Sequence, residues 1–422
     1  MMQCMVHGRS LYAWVTAVQL AAAGHEVTLL CDSEPDDEVR REPRLESRAQ
    51  ALSGEGLLRQ VSVLPEHLPA THFLALASSA TEPLIERAEA VLASTQGALT
   101  LVVLQATAVG TLDALQARLA AQAPGRVITV LALPLFIRTG QALDDFAAPA
   151  LLLLGEPVPG AGDRVHDALR PYSRQARETL RMPLAAAELT KFAVNAMLAS
   201  RLSLMNELAG LASRMKVDIE LVRLGMAADP RIGPDYLQPG CGFGGPSFTE
   251  DLFRFAETLR EAGGQPGVLD AVLRINAEQR ELPFRQLWRH FGGQLRGRRI
   301  AIWGAAYKPG AASVESSAIL PILSALLAQG AEVTVHDPKA LPALRHAFPQ
   351  PQVHVAATPL QAAQGADALL LLTAWPEYHN PDYDQLLNAL RQPVLIDGRN
   401  VFEPATMQAL GFVYYGVGRG RA

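Results

Sequence analysis

The apolar positions at the start of the chain fall into groups with strand and helix spacing. Residues 3–6 form a short apolar run before Gly8, residues 11–23 have helical spacing up to a glycine, and residues 26–30 form a second apolar run before Asp32. A glycine directly after a helix commonly caps it. This order predicts a strand–helix–strand unit whose two strands pair in parallel.

Similar apolar runs continue through the first half of the chain, and helical stretches separate them. They predict strands at residues 73–77, 100–104, 127–132 and 151–154. Strands that alternate with helices in this way form a doubly wound α/β domain.

The middle of the chain has a different pattern. Residues 185–216 keep helical apolar spacing without a proline, which predicts one long helix, and its surplus apolar positions suggest a contact in a dimer. A glycine-rich loop at residues 239–246 follows, and helical spacing then continues to about residue 291.

A second strand–helix–strand unit begins near residue 298. Its elements are predicted at 299–303, 316–329 and 332–336, with further strands at 368–373 and 393–396. The predicted fold class is therefore α/β, with two Rossmann-like doubly wound parallel-sheet domains joined by a long central helix. The expected domains cover residues 1–184, 185–292 and 293–422.

The composition fits a globular protein and excludes several kinds of partner. Of the 422 residues, 49% are hydrophobic and 19% are charged, and the net charge is −5. A chain without a basic excess is a poor ligand for nucleic acid or an anionic membrane, and no apolar run approaches the ~20 residues of a membrane helix. Three scattered cysteines make neither a disulfide framework nor a zinc site. We therefore expect a cytoplasmic protein without nucleic-acid, membrane or metal partners.

Six segments, spaced along the chain and in order, resemble one enzyme family. They are GHEVTLLCD at 24–32, AELTKFAVNAMLASRLSLMNELA at 187–209, DPRIGPDYLQPGCGFGGPSF at 229–248, AAYKPG at 305–310, ADALLLLTAWPEY at 366–378 and DGRNVF at 397–402. Together they are similar to the UDP-glucose/GDP-mannose dehydrogenase family. The resemblance implies an N-terminal NAD-binding domain, a central dimerisation helix and a C-terminal UDP-sugar-binding domain. The reaction that it implies is the oxidation of UDP-glucose to UDP-glucuronate by NAD.

The resemblance implies four catalytic positions, of which one has changed. Lys191 and Asn195 lie four residues apart on one helix face, where an ammonium and an amide can stabilise one oxyanion. Asp251 matches an aspartate of the family, but Ser247 stands where the family has its nucleophilic cysteine. A hydroxyl without an activating base is a weak nucleophile. Cys241, six residues upstream, is interpreted as a bystander.

Other positions that the resemblance marks as working residues have also changed. Leu135 and Thr139 replace two glutamates, Ala106 replaces a catalytic threonine, and residues 77–80 replace a turn of the Gly-Thr-Pro type. The changes at 106, 135 and 139 predict weak support for activating the water that releases the acid, and the changed turn belongs to the implied cofactor site.

The resemblance implies an NAD site at Gly8, Ser10, Ala13 and Asp32. In a G-x-G-x-x-G fingerprint the second glycine lets the backbone approach the pyrophosphate, and Ser10 places a side chain there. The acidic ribose ligand falls at Cys31, one residue before Asp32, so the Asp32 side chain points to the other face of the strand. The pattern predicts that NAD binding has decayed.

The implied substrate is a UDP-sugar such as UDP-glucose. Glu315 replaces an arginine of the family, and its carboxylate would repel a diphosphate if it pointed inward. The expected substrate-binding residues are Arg231, Tyr236, Gly242, Phe243, Gly244, Gly245, Lys308 and Arg399.

Three functions stay open on the sequence alone. The first is a nucleotide-sugar 6-dehydrogenase homologue with reduced or lost activity. The second is a non-catalytic scaffold or a sugar-nucleotide-binding partner of an active paralogue. The third is a single-step NAD-dependent alcohol oxidation that uses Lys191 and Asn195. The resemblance and the apolar central helix both predict a homodimer.

Overall fold

A computed structural model describes residues 1–76 and 81–419 of the chain. It divides into two compact units, Met1–Val194 and Asn195–Ala422, and the boundary falls inside the central helix. The three-domain division at residues 184 and 292 stays a prediction beside this two-unit organisation.

The strands of the first unit are β1 (Gln3–His7), β2 (Glu26–Leu30), β3 (Leu58–Val61), β4 (Thr71–Leu74), β5 (Leu99–Val103), β6 (Ile128–Ala132), β7 (Leu151–Glu156) and β8 (Glu178–Pro183). In the part of the chain that the structure describes, they form an eight-stranded sheet in the order β3-β2-β1-β4-β5-β6-β7-β8. Neighbouring strands are parallel except for β6 and β7, which pair antiparallel. The reversal of strand order at β1 and β4 confirms the predicted doubly wound fold.

The helices of the first unit pack against this sheet and form two buried apolar clusters. One cluster includes Val15 and Leu20, and the other includes Leu84 and Leu115. The helices are α1 (Leu11–Ala22), α2 (Asp37–Arg41), α3 (Leu45–Gly54), α4 (Thr81–Ser94), α5 (Thr111–Gln122), α6 (Ala142–Ala147), α7 (Asp163–Ala168), α8 (Arg170–Ser173) and the start of α9 (Leu184–Met215).

The second unit has a six-stranded parallel sheet in the described residues. Its strands are β9 (Arg299–Trp303), β10 (Glu332–His336), β11 (Val353–Val355), β12 (Ala368–Leu371), β13 (Val394–Asp397) and β14 (Val413–Gly416). Their order, β11-β10-β9-β12-β13-β14, again places the strand reversal beside the first strand of the domain. The second predicted Rossmann-like domain is thereby confirmed.

The rest of the second unit is helical. Beyond α9, its helices are α10 (Ile219–Ala228), α11 (Pro246–Glu261), α12 (Gly267–Arg280), α13 (Leu282–His290), α14 (Ile319–Ala328), α15 (Leu341–Ala347), α16 (Pro359–Ala363), α17 (Tyr383–Ala389) and α18 (Pro404–Ala409), with a 3₁₀ turn at Pro376–Tyr378. Across the residues described, no helix combines the length and the apolarity needed to cross a bilayer.

Some element boundaries differ from those predicted. The central helix ends at Met215 because Lys216 has a left-handed φ of 55°, and α14 begins at Ile319, after Ser316 with a φ of 53°. The strand predicted at 73–77 spans Thr71–Leu74, and the changed turn at 77–80 lies outside the described residues.

Candidate functional site

The turn after β1 closes tightly around Gly8. This glycine has a φ of 133°, and a Cβ there would lie 2.1 Å from the Ala75 carbonyl oxygen, so only glycine fits. Ser10 is the N-cap of α1, where its hydroxyl accepts from the Ala13 N–H at 3.4 Å and donates to the Ala75 carbonyl oxygen at 2.8 Å. The Ser10 side chain thus binds the protein's own backbone where the resemblance implies a pyrophosphate.

The end of β2 carries the residues implied for ribose binding. The buried Cys31 thiol donates to the Ser33 carbonyl oxygen at 3.0 Å, and burial raises its pKa. The Asp32 carboxylate accepts from the Arg87 guanidinium of α4 at 2.9 Å. The acidic side chain expected at the cofactor site is therefore held in an internal ion pair.

Lys191 is buried in the first unit. Its Nζ donates to the Leu135 carbonyl oxygen at 2.8 Å and lies 4.8 Å from the centre of the Phe136 ring, which is a cation–π distance. Leu135 stands where the resemblance implies a glutamate. At position 135, Lys191 therefore contacts a backbone carbonyl oxygen.

Asn195 and Asp251 come together in the second unit. The Asn195 Nδ2 donates to Asp251 Oδ2 at 2.7 Å, and both side chains are buried. A hydrogen bond to a carboxylate is shorter and stronger than a neutral one, so it fixes the orientation of the amide. The joint action of Lys191 and Asn195 on one oxygen stays a prediction.

Ser247 is an exposed residue in the first turn of α11, directly after Pro246. Residues four apart share a helix face, so its hydroxyl lies one turn before the buried Asp251. Cys241 is fully buried and its N–H donates to the Gly398 carbonyl oxygen at 2.7 Å. Burial raises the pKa of its thiol, which suits an inert cysteine.

Three amide side chains hold the start of the glycine-rich loop. Asn276 accepts from the Phe243 N–H at 2.8 Å and donates to the Phe243 carbonyl oxygen at 3.0 Å. Asn206 accepts from the Gly240 N–H at 2.9 Å, and Gln279 donates to the Gly240 carbonyl oxygen at 2.8 Å. None of these amides was predicted, although Asn276 and Gln279 share one face of α12.

The end of the loop approaches a second chain segment closely. A Cβ at Gly244 would lie 2.2 Å from the Ser316 carbonyl oxygen, and Gly245, with a φ of 103°, donates its N–H to the Glu315 carbonyl oxygen at 3.0 Å. The loop was expected to expose its backbone to a nucleotide. Instead, the N–H groups of Phe243 and Gly245 bond within the protein, because the chain packs against itself at both points.

Arg399 clamps the same loop after β13. Its Nε donates to the Leu372 carbonyl oxygen at 2.7 Å and its Nη1 to the Gly242 carbonyl oxygen at 3.0 Å. A Cβ at Gly242 would lie 2.8 Å from Cγ of Arg280, so this glycine leaves room for a second arginine. In the structure Arg399 positions the loop, and its contact with phosphate stays a prediction.

The remaining predicted substrate residues have different local environments. The Lys308 Nζ lies 5.7 Å from the centre of the Tyr307 ring. The Arg231 side chain is 87% exposed and pairs with Asp229 at 2.6 Å. Tyr236 is half-buried and has a left-handed φ of 58°. Ligand binding by these residues stays a prediction.

Glu188 is a buried acid that was not predicted. It accepts from the Thr107 hydroxyl at 2.8 Å, the Gly110 N–H at 2.7 Å and the Leu112 N–H at 3.0 Å. Burial raises its pKa to about 7, against the effect of these hydrogen bonds. Since Gly110 is the N-cap of α5, Glu188 ties α9 to the start of α5, beside Ala106 at the implied threonine position.

Comparison with known proteins decides the family. The model for the central domain of the UDP-glucose/GDP-mannose dehydrogenase family matches residues 185–278, and the model for the UDP binding domain of that family matches residues 301–404. A UDP-glucose 6-dehydrogenase of Pseudomonas aeruginosa is 39% identical over 299 residues, or 70% of this chain and 66% of that protein. The chain belongs to the UDP-glucose/GDP-mannose dehydrogenase family.

Two comparisons over the whole length agree with this assignment. The UDP-glucose 6-dehydrogenase YwqF of Bacillus subtilis is 26% identical across 99% of this chain and 98% of that protein. The structure of a UDP-glucose dehydrogenase from the archaeon Pyrobaculum islandicum superimposes with a TM-score of 0.87 and 29% identity, across 99% of this chain and 98% of that one. Against the Pseudomonas relative the match spans 66% of the relative, just under two thirds. The predicted resemblance is confirmed.

This member of the UDP-glucose/GDP-mannose dehydrogenase family has two acids near the start of α11. Burial and the nearby Glu250 both raise the pKa of Glu315. Glu250 also pairs with Arg254 at 3.4 Å. The resemblance implies an arginine at position 315, so the charge there is reversed from the one expected of a diphosphate site.

Proposed function

We propose that this chain binds a UDP-sugar such as UDP-glucose and that its 6-dehydrogenase activity is reduced or lost. The observation that carries the proposal is Ser247, an exposed hydroxyl in the first turn of α11 at the implied thiol position. A thiol forms a reactive thiolate near neutral pH, whereas a hydroxyl needs an activating base. The step that traps an aldehyde on the protein therefore lacks its usual nucleophile.

Sugar-nucleotide binding is supported by the second unit. Residues 301–404 match the UDP binding domain of the family. The glycine-rich loop is held in one conformation by Asn276 and Arg399, which bond its backbone from two directions. A binding loop that is rigid before the ligand arrives loses less conformational entropy on binding.

The first unit does not fit NAD in the manner that the family implies. The Ser10 hydroxyl is bonded to the Ala75 carbonyl oxygen, and Asp32 is bonded to Arg87. A dinucleotide needs close backbone approach at the first of these places. The implied acidic ribose ligand falls on Cys31, one residue before the paired Asp32. We therefore expect weak NAD binding, in agreement with reduced oxidation.

The proposal is tested by calorimetry and by an activity assay on the full chain. UDP and UDP-glucose should bind, while UDP-glucose with NAD should form NADH at least ~100-fold more slowly than the ~10 s⁻¹ of a typical enzyme. Acid formation at about the typical rate would disprove the loss of activity. NADH formation without acid would favour the single-step oxidation with Lys191 and Asn195.

A binding or scaffold role, as a homodimer or beside an active paralogue, is favoured by the surface of α9. Met197, Leu204 and Leu211 are 64%, 49% and 45% exposed and follow each other at seven-residue spacing. Apolar side chains in one line along a helix commonly form an interface with another helix. Such a role needs the helix and the sugar-nucleotide domain but no oxidation chemistry.

A further inference from the structure

The carboxyl ends of β1 and β4 lie side by side, because the first sheet runs in the order β3-β2-β1-β4. Helix α1 follows β1 and helix α4 follows β4. In doubly wound folds a nucleotide binds in the crevice at this reversal of strand order. A contact that crosses from one side of the crevice to the other therefore competes with a dinucleotide.

The first such contact joins the α1 turn to the end of β4. The Ser10 hydroxyl donates to the Ala75 carbonyl oxygen at 2.8 Å. At the same place the two backbones are so close that a Cβ on Gly8 would lie 2.1 Å from that oxygen. The Ser10 side chain also caps α1, so it uses the helix N-terminus that would otherwise receive a phosphate.

The second contact joins α4 to the end of β2. The Arg87 Nη2 lies 2.9 Å from the Asp32 Oδ2, and the two side chains are 24% and 56% exposed. Burial, His72 and the Arg87 charge all lower the pKa of His7, the last residue of β1. The Arg87–Asp32 ion pair therefore joins α4, which follows β4, to the residue two positions after the end of β2.

A third contact holds the loop after β2 against the turn after β1. The Arg9 Nε lies 3.1 Å from Asp36 Oδ1, and the Asp36 N–H donates to the Arg9 carbonyl oxygen at 3.2 Å. The arginine next to the glycine turn is thus paired with an acid of this loop. These bonds fix the position of the turn after β1 relative to the loop after β2.

We infer that the Ser10–Ala75 hydrogen bond and the Arg87–Asp32 ion pair determine ligand specificity in the first unit by closing its crevice against dinucleotides. This inference deepens the proposed function. It rests on that function because the proposed function is what identifies the excluded dinucleotide as NAD. Removal of both contacts frees the N-terminus of α1 for a phosphate and removes the ion pair that joins α4 to the end of β2. An adenine nucleotide can then enter the crevice between the α1 turn and α4.

The test is a gain of binding in the full-length double variant Ser10→Gly/Arg87→Gln. Glycine is nearly as good an N-cap as serine, and glutamine keeps most of the arginine stem, so the fold should persist. AMP and NAD are titrated by calorimetry into the unaltered chain and into the variant. We expect about tenfold tighter binding of both ligands, from one hydrogen bond and one ion pair that no longer compete.

The matched control is Arg118→Gln, which removes a 2.6 Å ion pair with Glu89 in the same unit. It should leave both affinities unchanged. A folded double variant that binds AMP and NAD no more tightly than the unaltered chain overturns the inference. If the double variant does not fold, Arg87→Gln alone is tested. Its affinity for AMP and NAD should rise about threefold, and an unchanged affinity would overturn the inference.

A UDP titration of the same samples separates this inference from the proposed function. Tighter AMP binding with no UDP binding would support the closed crevice and contradict the proposed sugar-nucleotide ligand. UDP binding with no gain in AMP affinity would support the proposed sugar-nucleotide ligand and contradict the closed crevice.

Discussion

At position 247 the exchange of sulfur for oxygen changes what the side chain can do at neutral pH. Ser247 is exposed in the first turn of α11, where the helix dipole favours a negative charge. The three cysteines of the chain are instead buried, and burial raises the pKa of the Cys4 thiol to about 12. The chain therefore has no accessible thiolate at position 247, because a serine occupies that position.

The variant Ser247→Cys should restore a covalent trap for an aldehyde. We expect the 6-aldehyde analogue of UDP-glucose to bind about tenfold tighter to this variant than to the unaltered chain, which corresponds to ~1.4 kcal/mol. UDP itself should bind both proteins equally, since it carries no aldehyde. Calorimetry and mass spectrometry of the adduct make the measurement.

The control for this variant is Ser213→Cys, which places an exposed thiol near the end of α9. It should bind the aldehyde no better than the unaltered chain does. Equal affinity of the Ser247→Cys variant and this control would mean that position 247 does not face the sugar.

Single residues of the site were predictable where a local segment carried the resemblance. Ser247 belongs to one such segment and Asp251 lies three residues beyond its end, so both positions followed from it. Asn276 bonds a residue 33 positions away and Arg87 bonds one 55 positions away. No local pattern encodes contacts at those separations, because only the folded chain brings the partners together.

At the scale of elements, β1 and β4 are joined by two buried histidines. His7 Nε2 lies 2.9 Å from His72 Nδ1, and His72 Nε2 lies 2.8 Å from the Pro69 carbonyl oxygen. Burial lowers the pKa of His7, and it lowers the pKa of His72 from 6.5 to about 4. Both imidazoles are therefore neutral in the folded protein at neutral pH.

This histidine pair predicts a loss of stability in mild acid. Because the pKa of His72 in the folded protein lies below 6.5, the unfolded chain takes up the proton first as the pH falls. The stabilisation is fully present above pH 6.5 and decreases as the pH falls from 6.5 towards 4. His72 alone should lower the free energy of unfolding over this range by at most about 1.4 kcal/mol per pH unit. Urea unfolding at a series of pH values should show the decrease.

His72→Gln should flatten that pH dependence, since glutamine does not titrate. The exposed His354 of β11 supplies the control, and His354→Gln should leave the pH profile as it is. An unchanged slope in the His72→Gln variant would assign the acid sensitivity to other groups.

The central strands were predictable and the edge strands were not. Strand β1 is buried at four of its five positions, which gives the continuous apolar run of a parallel strand covered on both faces. Strands β3 and β8 lie at the two sheet edges and are largely exposed, so their sequences, LRQV and ETLRMP, lack that run. Pairing with a neighbour, rather than composition, makes them strands.

At the scale of the whole molecule, the two units differ in the regions where the resemblance implies ligand sites. The second unit has the Asn195–Asp251 hydrogen bond and a fixed glycine-rich loop. The first unit has a crevice crossed by Ser10 and Arg87. Together these features predict a chain that recognises a sugar nucleotide and oxidises it slowly or not at all.

The apolar line on α9 predicts that the chain associates with a second copy of itself. Leu204, at the centre of the line between Met197 and Leu211, is 49% exposed and would become buried between two helices. Leu204→Glu should weaken a homodimer by placing a charge in an apolar interface, and the cost of ~2 kcal/mol or more corresponds to at least about a thirtyfold change in dissociation constant. Sedimentation over a range of concentrations measures this dissociation constant.

Val127→Glu, at a 69% exposed valine of the first unit, is the control that should leave association unchanged. A monomeric unaltered chain, or equal association of both variants, would show that the apolar line on α9 does not join two copies.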